Sequence, residues 1–262
     1  MPLSTDYASK IPGPDGLIAY TAEERAVWRD LYAQQIPVLR DHACRAYLEG
    51  LDKLAMDGTD VPQVRDIDAR LARISGAGVK AVDALIPQDE FSTLLKNRKF
   101  PMATFIRRRE HFDYIEEPDI FHECFGHCPM LTNDAFCRFM EQFGALALDL
   151  GDEWSERLFR LFWFTVEFGV IREGGALKAF GAGIISSPGE LANVVHGTPM
   201  VEPFDLLTVL RTPYRIDIVQ PVYFEIESFE QLAASLDCDM EAMLKEAAHR
   251  CDLPARFEAK AA

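Results

Sequence analysis

A single carboxylate inside the most apolar run of the chain, LFRLFWFTVEFGVI, constrains the fold more than any other feature of the sequence. From Asp152 to about Gly169, apolar residues fall on nearly every side of a helix, which is the pattern of a buried central helix that other elements must surround. Glu167 is costly there, because a buried carboxylate needs an ionic partner, a proton or a metal. Pairing with Arg160, or a route to solvent, would satisfy it as well as a metal would. The same two charges keep the run short of the roughly 18 uncharged residues that a membrane span requires.

The elements that would surround this helix follow from caps and periodicity. Thr21 and Glu24 form a capping-box signal, and Trp28, Leu31, Tyr32 and, past a kink at Pro37, Leu39, Ala43, Tyr47 and Leu51 recur at helical spacing. Ile67, Leu71 and Ile74 predict a short helix ending at Gly76, and PQDEFSTLLKN predicts another, with Phe91, Leu94 and Leu95 on one face. MATFIRRR reads as a short strand. In EEPDIFHECFGHCP, Pro118 suits a helix's first turn and Pro129 its end, while Asn133 opens an amphipathic helix through Phe136, Phe139, Met140 and Phe143. AFGAGII reads as a hairpin segment, Ser187, Pro188 and Glu190 as a helix start, YRIDIVQPVYFEI as strand, and SFEQLAASL and DMEAMLKEAAHRC as closing helices. Without repeats or low-complexity linkers, the expectation is a mainly α chain with a minor β element, one domain over residues 1–262.

Composition narrows the partners. With 42 acidic against 27 basic residues, the formal charge of -15 repels phosphate backbones and anionic lipid surfaces, so neither nucleic acid nor membrane is expected and small molecules are. The opening MPLSTDYASKIPGPDG lacks the basic and apolar regions of a secretory signal, and the six cysteines form no dense framework. Reduced thiols in a cytoplasmic protein are the expectation.

HECFGH places His122 and His127 five residues apart, which in an ideal helix is about 140° beyond a full turn. Long ring reach, or a widening of the helix near Gly126, could still bring both nitrogens to one centre. Taken singly, each histidine is as well explained as a satisfied core residue. With Glu167 they make the two-imidazole, one-carboxylate set that leaves coordination positions open and usually serves Fe(II). A zinc hydrolase site of the HExxH type, with Glu123 as base, is the rival reading, but the second histidine comes one residue late. Cys124 and Cys128 lack a second pair for a structural zinc site.

The strings EPDIFHECFGHCPMLT, FWFTVEFG, KAFGAGIISSPGEL and RTPYRIDIVQPVYF, in that order, resemble the pterin-dependent aromatic amino acid hydroxylases, most closely their short bacterial phenylalanine-hydroxylating members. The resemblance runs from Pro87 to Phe224. It implies a single helical catalytic domain of that type, in which Fe(II), a tetrahydropterin such as tetrahydrobiopterin, and dioxygen as co-substrate turn L-phenylalanine into L-tyrosine. Tryptophan is the alternative substrate. Carried over, the resemblance puts the iron ligands on His122, His127 and Glu167, and a pterin-facing carboxylate on Glu123. It puts the pterin-stacking ring on Phe91, with the backbone of Leu85 to Gln88 lining the pterin edge. Arg107 would hold the substrate carboxylate, Trp163 would wall the pocket, and Ser186 would sit near the iron. Phe162 replaces a tyrosine common in the family, and the ALIPQ loop differs from the glycine- and serine-rich animal version. No regulatory or tetramerisation segment is recognised, which implies a monomer or weak oligomer.

Overall fold

The computed structural model of the chain describes residues 7–83, 86–113, 115 and 117–257. The capping box forms as the sequence predicts: Thr21 accepts from the Glu24 amide, Glu24 returns to the Thr21 amide, and helix α1 runs Ala22–His42 straight through Pro37. The chain breaks instead at Ala43, where the Cys44 amide donates to the Ala179 carbonyl at 2.9 Å, and α2 (Arg45–Lys53) starts afresh under a Cys44 cap. Then come α3 (Val64–Ile74), β1 (Gly78–Val82), α4 (Gln88–Lys96) and β2 (Lys99–Ala103). Strands β1 and β2 pair in parallel, with Val79 opposite Phe100. The strand expected in MATFIRRR therefore lies earlier, and Thr104 to Arg108 is irregular.

Two segments of π-helix hold the middle of the molecule, π1 (Phe121–His127) and π2 (Trp163–Glu167). Between them run α5 (Asp134–Leu150), capped by Asn133 as expected, and α6 (Ser155–Phe162). The helix foreseen over 152–169 is thus a 3-10 turn, an α segment and a π-turn in series. Pro118 lies just before π1 rather than in its first turn, and Pro129 leads into the 3-10 turn Met130–Thr132.

The hairpin also moves. Strands β3 (Val170–Glu173) and β4 (Ala176–Ala179) close over Gly174 and Gly175, whose φ values of 58 and 84 suit glycine. AFGAGII instead supplies a short helix, α7 (Ala182–Ile185), followed by α8 (Pro188–His196) on its Ser187 cap. After β5 (Met200–Pro203) and α9 (Leu206–Arg211), only Val222–Ile226 of the expected long strand pairs, as β6. The second sheet has the order β4-β3-β6-β5. Helices α10 (Phe229–Ala234) and α11 (Met240–His249) close the chain under Ser228 and Asp239 caps. Among the described residues no helix is long and apolar enough to cross a membrane.

The core lies where α1, α5, the π-turns and β6 meet, with Trp28, Phe121, Phe125, Phe164, Phe180 and Phe224 buried. Full burial of one such ring contributes about 1.5–3 kcal/mol, so this aromatic packing is a large part of what holds the π-turns in place.

Candidate active site

The π-winding resolves the awkward five-residue spacing. In a π-turn the repeat is close to i→i+5, so His122 and His127 come onto one face, and their Nε2 atoms lie 3.2 Å apart. Gly126 lets this turn approach α7, since a Cβ there would stand 3.0 Å from the Ala182 Cβ. The second turn carries an i→i−5 bond, from the Phe168 amide to the Trp163 carbonyl at 2.9 Å, and it delivers Glu167. Glu167 Oε1 lies 3.3 Å from His127 Nε2, and Oε2 lies 3.5 Å from His122 Nε2. Arg160 does not compensate it, because that guanidinium is spent on Asp252 and Glu156.

Ser186 fixes the form of His122. Its hydroxyl has one proton, which goes to the Ala182 carbonyl at 2.8 Å, so toward His122 Nδ1, also at 2.8 Å, it can only accept. The ring proton of neutral His122 therefore sits on Nδ1, and the Nε2 lone pair is left facing His127 and Glu167. Burial pushes the His122 pKa down to about 4, which keeps the ring neutral at physiological pH. Phe100 of β2 packs on the His127 ring at 4.4 Å.

Two carboxylates approach the imidazoles, and donor proximity alone groups Glu123 with His122 and His127, all within 4.8 Å. Their environments separate them. Burial raises the Glu123 pKa well above the usual range and the charge of Glu167 adds to this, so Glu123 is held neutral. Burial also raises that of Glu167, but His127 and His122 outweigh it and leave the carboxyl below its ordinary value. Glu167 is thus the anionic donor, and the trio has the donor chemistry that suits non-haem Fe(II). The i, i+4 pair of an HExxH zinc site does not form.

Arg107 is buried, and its fork is occupied: Nε and an Nη bind the two oxygens of fully buried Asp119 at 2.8 and 2.9 Å. Asp119 also accepts from the Arg107 amide at 2.9 Å and the His122 amide at 3.1 Å, tying the arginine to the first turn of π1. The other Nη donates to the Phe112 carbonyl at 3.4 Å. Trp163 opens π2, four residues before Glu167; it stacks on Tyr214 with centroids 4.6 Å apart and donates to Gln220 Oε1 at 3.0 Å. Phe91 is half-buried on α4 and meets Phe162 edge-on at 5.5 Å, so a ring occupies the place of the family tyrosine inside an aromatic cluster. Gln88 is exposed at the start of α4, and Leu85 lies outside the described residues. The structure therefore brings His122, His127, Glu167, Glu123 and Ser186 together directly and Arg107 through Asp119, whereas Phe91 packs in a separate aromatic cluster with Phe162. Sequence reasoning missed Asp119 and Gln220. The first stands three residues before His122, and the second just before Pro221, positions where a polar residue entering an apolar segment was the available signal.

Comparison with known proteins places the chain in a family. The family described as biopterin-dependent aromatic amino acid hydroxylase matches residues 4–251. A phenylalanine-4-hydroxylase of Vibrio cholerae is 44% identical over 257 residues, covering 98% of this chain and 89% of that relative. The solved phenylalanine hydroxylase of Legionella pneumophila superposes with a TM-score of 0.93 at 40% identity, covering 95% of this chain and all of the other (100%). That of Chromobacterium violaceum with bound oxidised Fe(III) does so at 0.89 and 36%, covering 95% and 91%. The chain belongs to the biopterin-dependent aromatic amino acid hydroxylases.

Proposed function

We propose that the protein is an iron- and tetrahydropterin-dependent monooxygenase that converts L-phenylalanine to L-tyrosine with dioxygen. The observation that carries this reading is the set of two imidazoles and one carboxylate whose donor atoms lie 3.2–3.5 Å apart, in a member of this family. His122, His127 and Glu167 would hold the iron, with Ser186 keeping His122 in the ligating tautomer. When bound, iron and pterin supply the reduction of dioxygen and the oxidation of the ring; the chain supplies position and enclosure. Neutral Glu123 can donate a hydrogen bond to the pterin without adding a second negative charge beside the metal donors. Phe91 offers a ring face for stacking, and the backbone of Leu85 to Gln88, of which Leu85 lies outside the described residues, would line the pterin edge. Arg107, held by Asp119, would present its remaining Nη, which also donates to the Phe112 carbonyl, to the substrate carboxylate, and Trp163 would wall the ring so that its far edge meets the reacting centre. Support for phenylalanine over tryptophan comes from the bacterial relatives, which are named for it.

The test is metal analysis of the purified protein, then oxygen uptake with tetrahydropterin and each aromatic amino acid separately, with products resolved by chromatography. Iron binding and tyrosine formed from phenylalanine are expected. A higher kcat/KM on tryptophan or tyrosine would overturn the substrate, and zinc with no oxygen uptake would overturn the chemistry.

A further inference from the structure

A second buried polar cluster meets the site at Trp163. Glu190 and Asn193, on α8, both reach the chain just before β6. One Glu190 oxygen accepts from the Gln220 amide at 2.9 Å, and the Asn193 side chain donates to the Gln220 carbonyl at 3.0 Å, so the peptide groups on both sides of this residue are gripped by side chains. Asn193 also donates to the Tyr223 hydroxyl at 2.9 Å, which leaves the tyrosine proton for the other Glu190 oxygen. Both carboxyl oxygens of Glu190 thus receive a donor.

The Gln220 side chain is equally committed. Its amide nitrogen donates to the carbonyls of Arg215 and Ile218, each at 2.9 Å, which fixes the orientation of the amide and turns Oε1 toward the Trp163 indole at 3.0 Å. The loop that Gln220 ties down begins beside Tyr214, the ring stacked on Trp163 at an interplanar angle of 27°. Edge and face of the indole are therefore set by one loop. That loop is clamped by α8, whose cap, Ser187, adjoins the Ser186 that orients His122.

We propose that Gln220, clamped by Glu190 and Asn193, is a specificity-determining positioning residue, which holds the Trp163 indole and so sets the width of the amino acid pocket. This rests on the reading of Trp163 as a pocket wall. A residue that merely closed the loop would need its two amide donors but not the indole contact, and the two roles can be separated.

The experiment uses the indole N–H signals of the three tryptophans in the iron-loaded enzyme, with the Trp163 signal identified by its loss in Trp163→Phe. Gln220→Met keeps the length and removes the acceptor together with both amide donors, whereas Gln220→Glu loses the amide but keeps an oxygen for the indole, and should hold the Trp163 signal at its hydrogen-bonded position. In Gln220→Met the Trp163 signal should move toward that of an unbonded indole, while those of Trp28 and Trp154 stay in place and serve as folding controls. The phenylalanine KM should rise about two- to tenfold, the equivalent of one hydrogen bond, with discrimination against tryptophan reduced and the pterin KM and iron content kept. Glu190→Gln, which puts a donor opposite a donor, should move the same signal. An unmoved Trp163 signal in Gln220→Met, a movement of all three signals together, or an equal rise in pterin KM overturns the proposal. If Trp163→Phe leaves the amino acid constants unchanged, the pocket-wall reading beneath it falls too. If Trp163→Phe raises them while Gln220→Met leaves the indole unmoved, only the role of Gln220 falls.

Discussion

The face built from π1, π2 and α7 and the edge built from α4 are proposed for one active site, but they are finished to different degrees. At the first, each donor side chain has a second contact that aims it: Ser186 on His122, Phe100 on His127, and both imidazoles on Glu167. Around them the glycines leave no slack, since a Cβ at Gly181 would lie 2.4 Å from the Glu167 carbonyl. At the second, Gln88 is exposed and Phe91 is only half-buried, packed in its own cluster with Phe162. The difference teaches that the donors are preorganised by the fold itself, whereas the pterin edge relies on the ligand to complete its packing.

Four tests, made with six substitutions, would break or sharpen that contrast. The largest effect is expected from His122→Ala, His127→Ala or Glu167→Ala, each of which should abolish iron retention and turnover while leaving a folded chain; metal analysis with circular dichroism checks it, and full occupancy in any one variant strikes that residue from the set. Next, Asp119→Asn leaves Arg107 short of its counter-charge and should cost about 3 kcal/mol, or roughly 10 °C in Tm. Burial alone would raise the Asp119 pKa, but Arg107 outweighs it and holds the carboxyl below its ordinary range. A depressed folded pKa means the stabilisation is present above the unfolded value of about 3.9 and lost as pH falls through the folded one. Thermal melts of wild type and variant should therefore converge in acid, and a constant gap down to low pH would refute the ion pair as the cause. Ser186→Ala should weaken iron binding about 10- to 100-fold through the freed His122 ring, read by chelator competition. Smallest is Phe91→Ala, with a several-fold to about tenfold rise in the pterin constant and no change in iron content. A rise confined to the amino acid constant would reverse its assignment.

Much of the donor set was legible because burying a carboxylate is expensive: Glu167 in an apolar run had to be answered by something, and a histidine pair whose spacing could be met by long ring reach or by a widened helix stood earlier in the chain. The caps at Thr21, Asn133 and Ser187 were legible for a local reason of another kind, a polar side chain standing where a helix leaves amide donors unpaired. What stayed hidden depends on distant partners. The parallel pairing of β1 with β2 and of β5 with β6 has no turn signal to announce it. The glycines of AFGAGII looked like a hairpin, but Gly181 and Gly183 are needed for close approach to Glu167 and Phe168, while the true turn used the GG of REGGALK. Arg107 could be foreseen as a carboxylate binder, but not that a carboxylate of its own chain would already occupy most of its fork.

The π-turns carry a last consequence, for how this protein can change. Each residue added to or removed from a helical turn swings everything after it by about 100°. His122 and His127 share a face only because their turn holds one residue more than an α-turn would, and Glu167 ends a turn of the same kind. Between the histidines, Cys124 and Phe125 can be exchanged conservatively at local cost, whereas a one-residue deletion would turn His127 away from its partners and rotate the chain beyond it. The centre is thus sensitive to count as well as to letter: an insertion or deletion within HECFGH or WFTVE should be as damaging as the loss of a donor, and far more damaging than a conservative substitution at Cys124, Phe125, Thr165 or Val166.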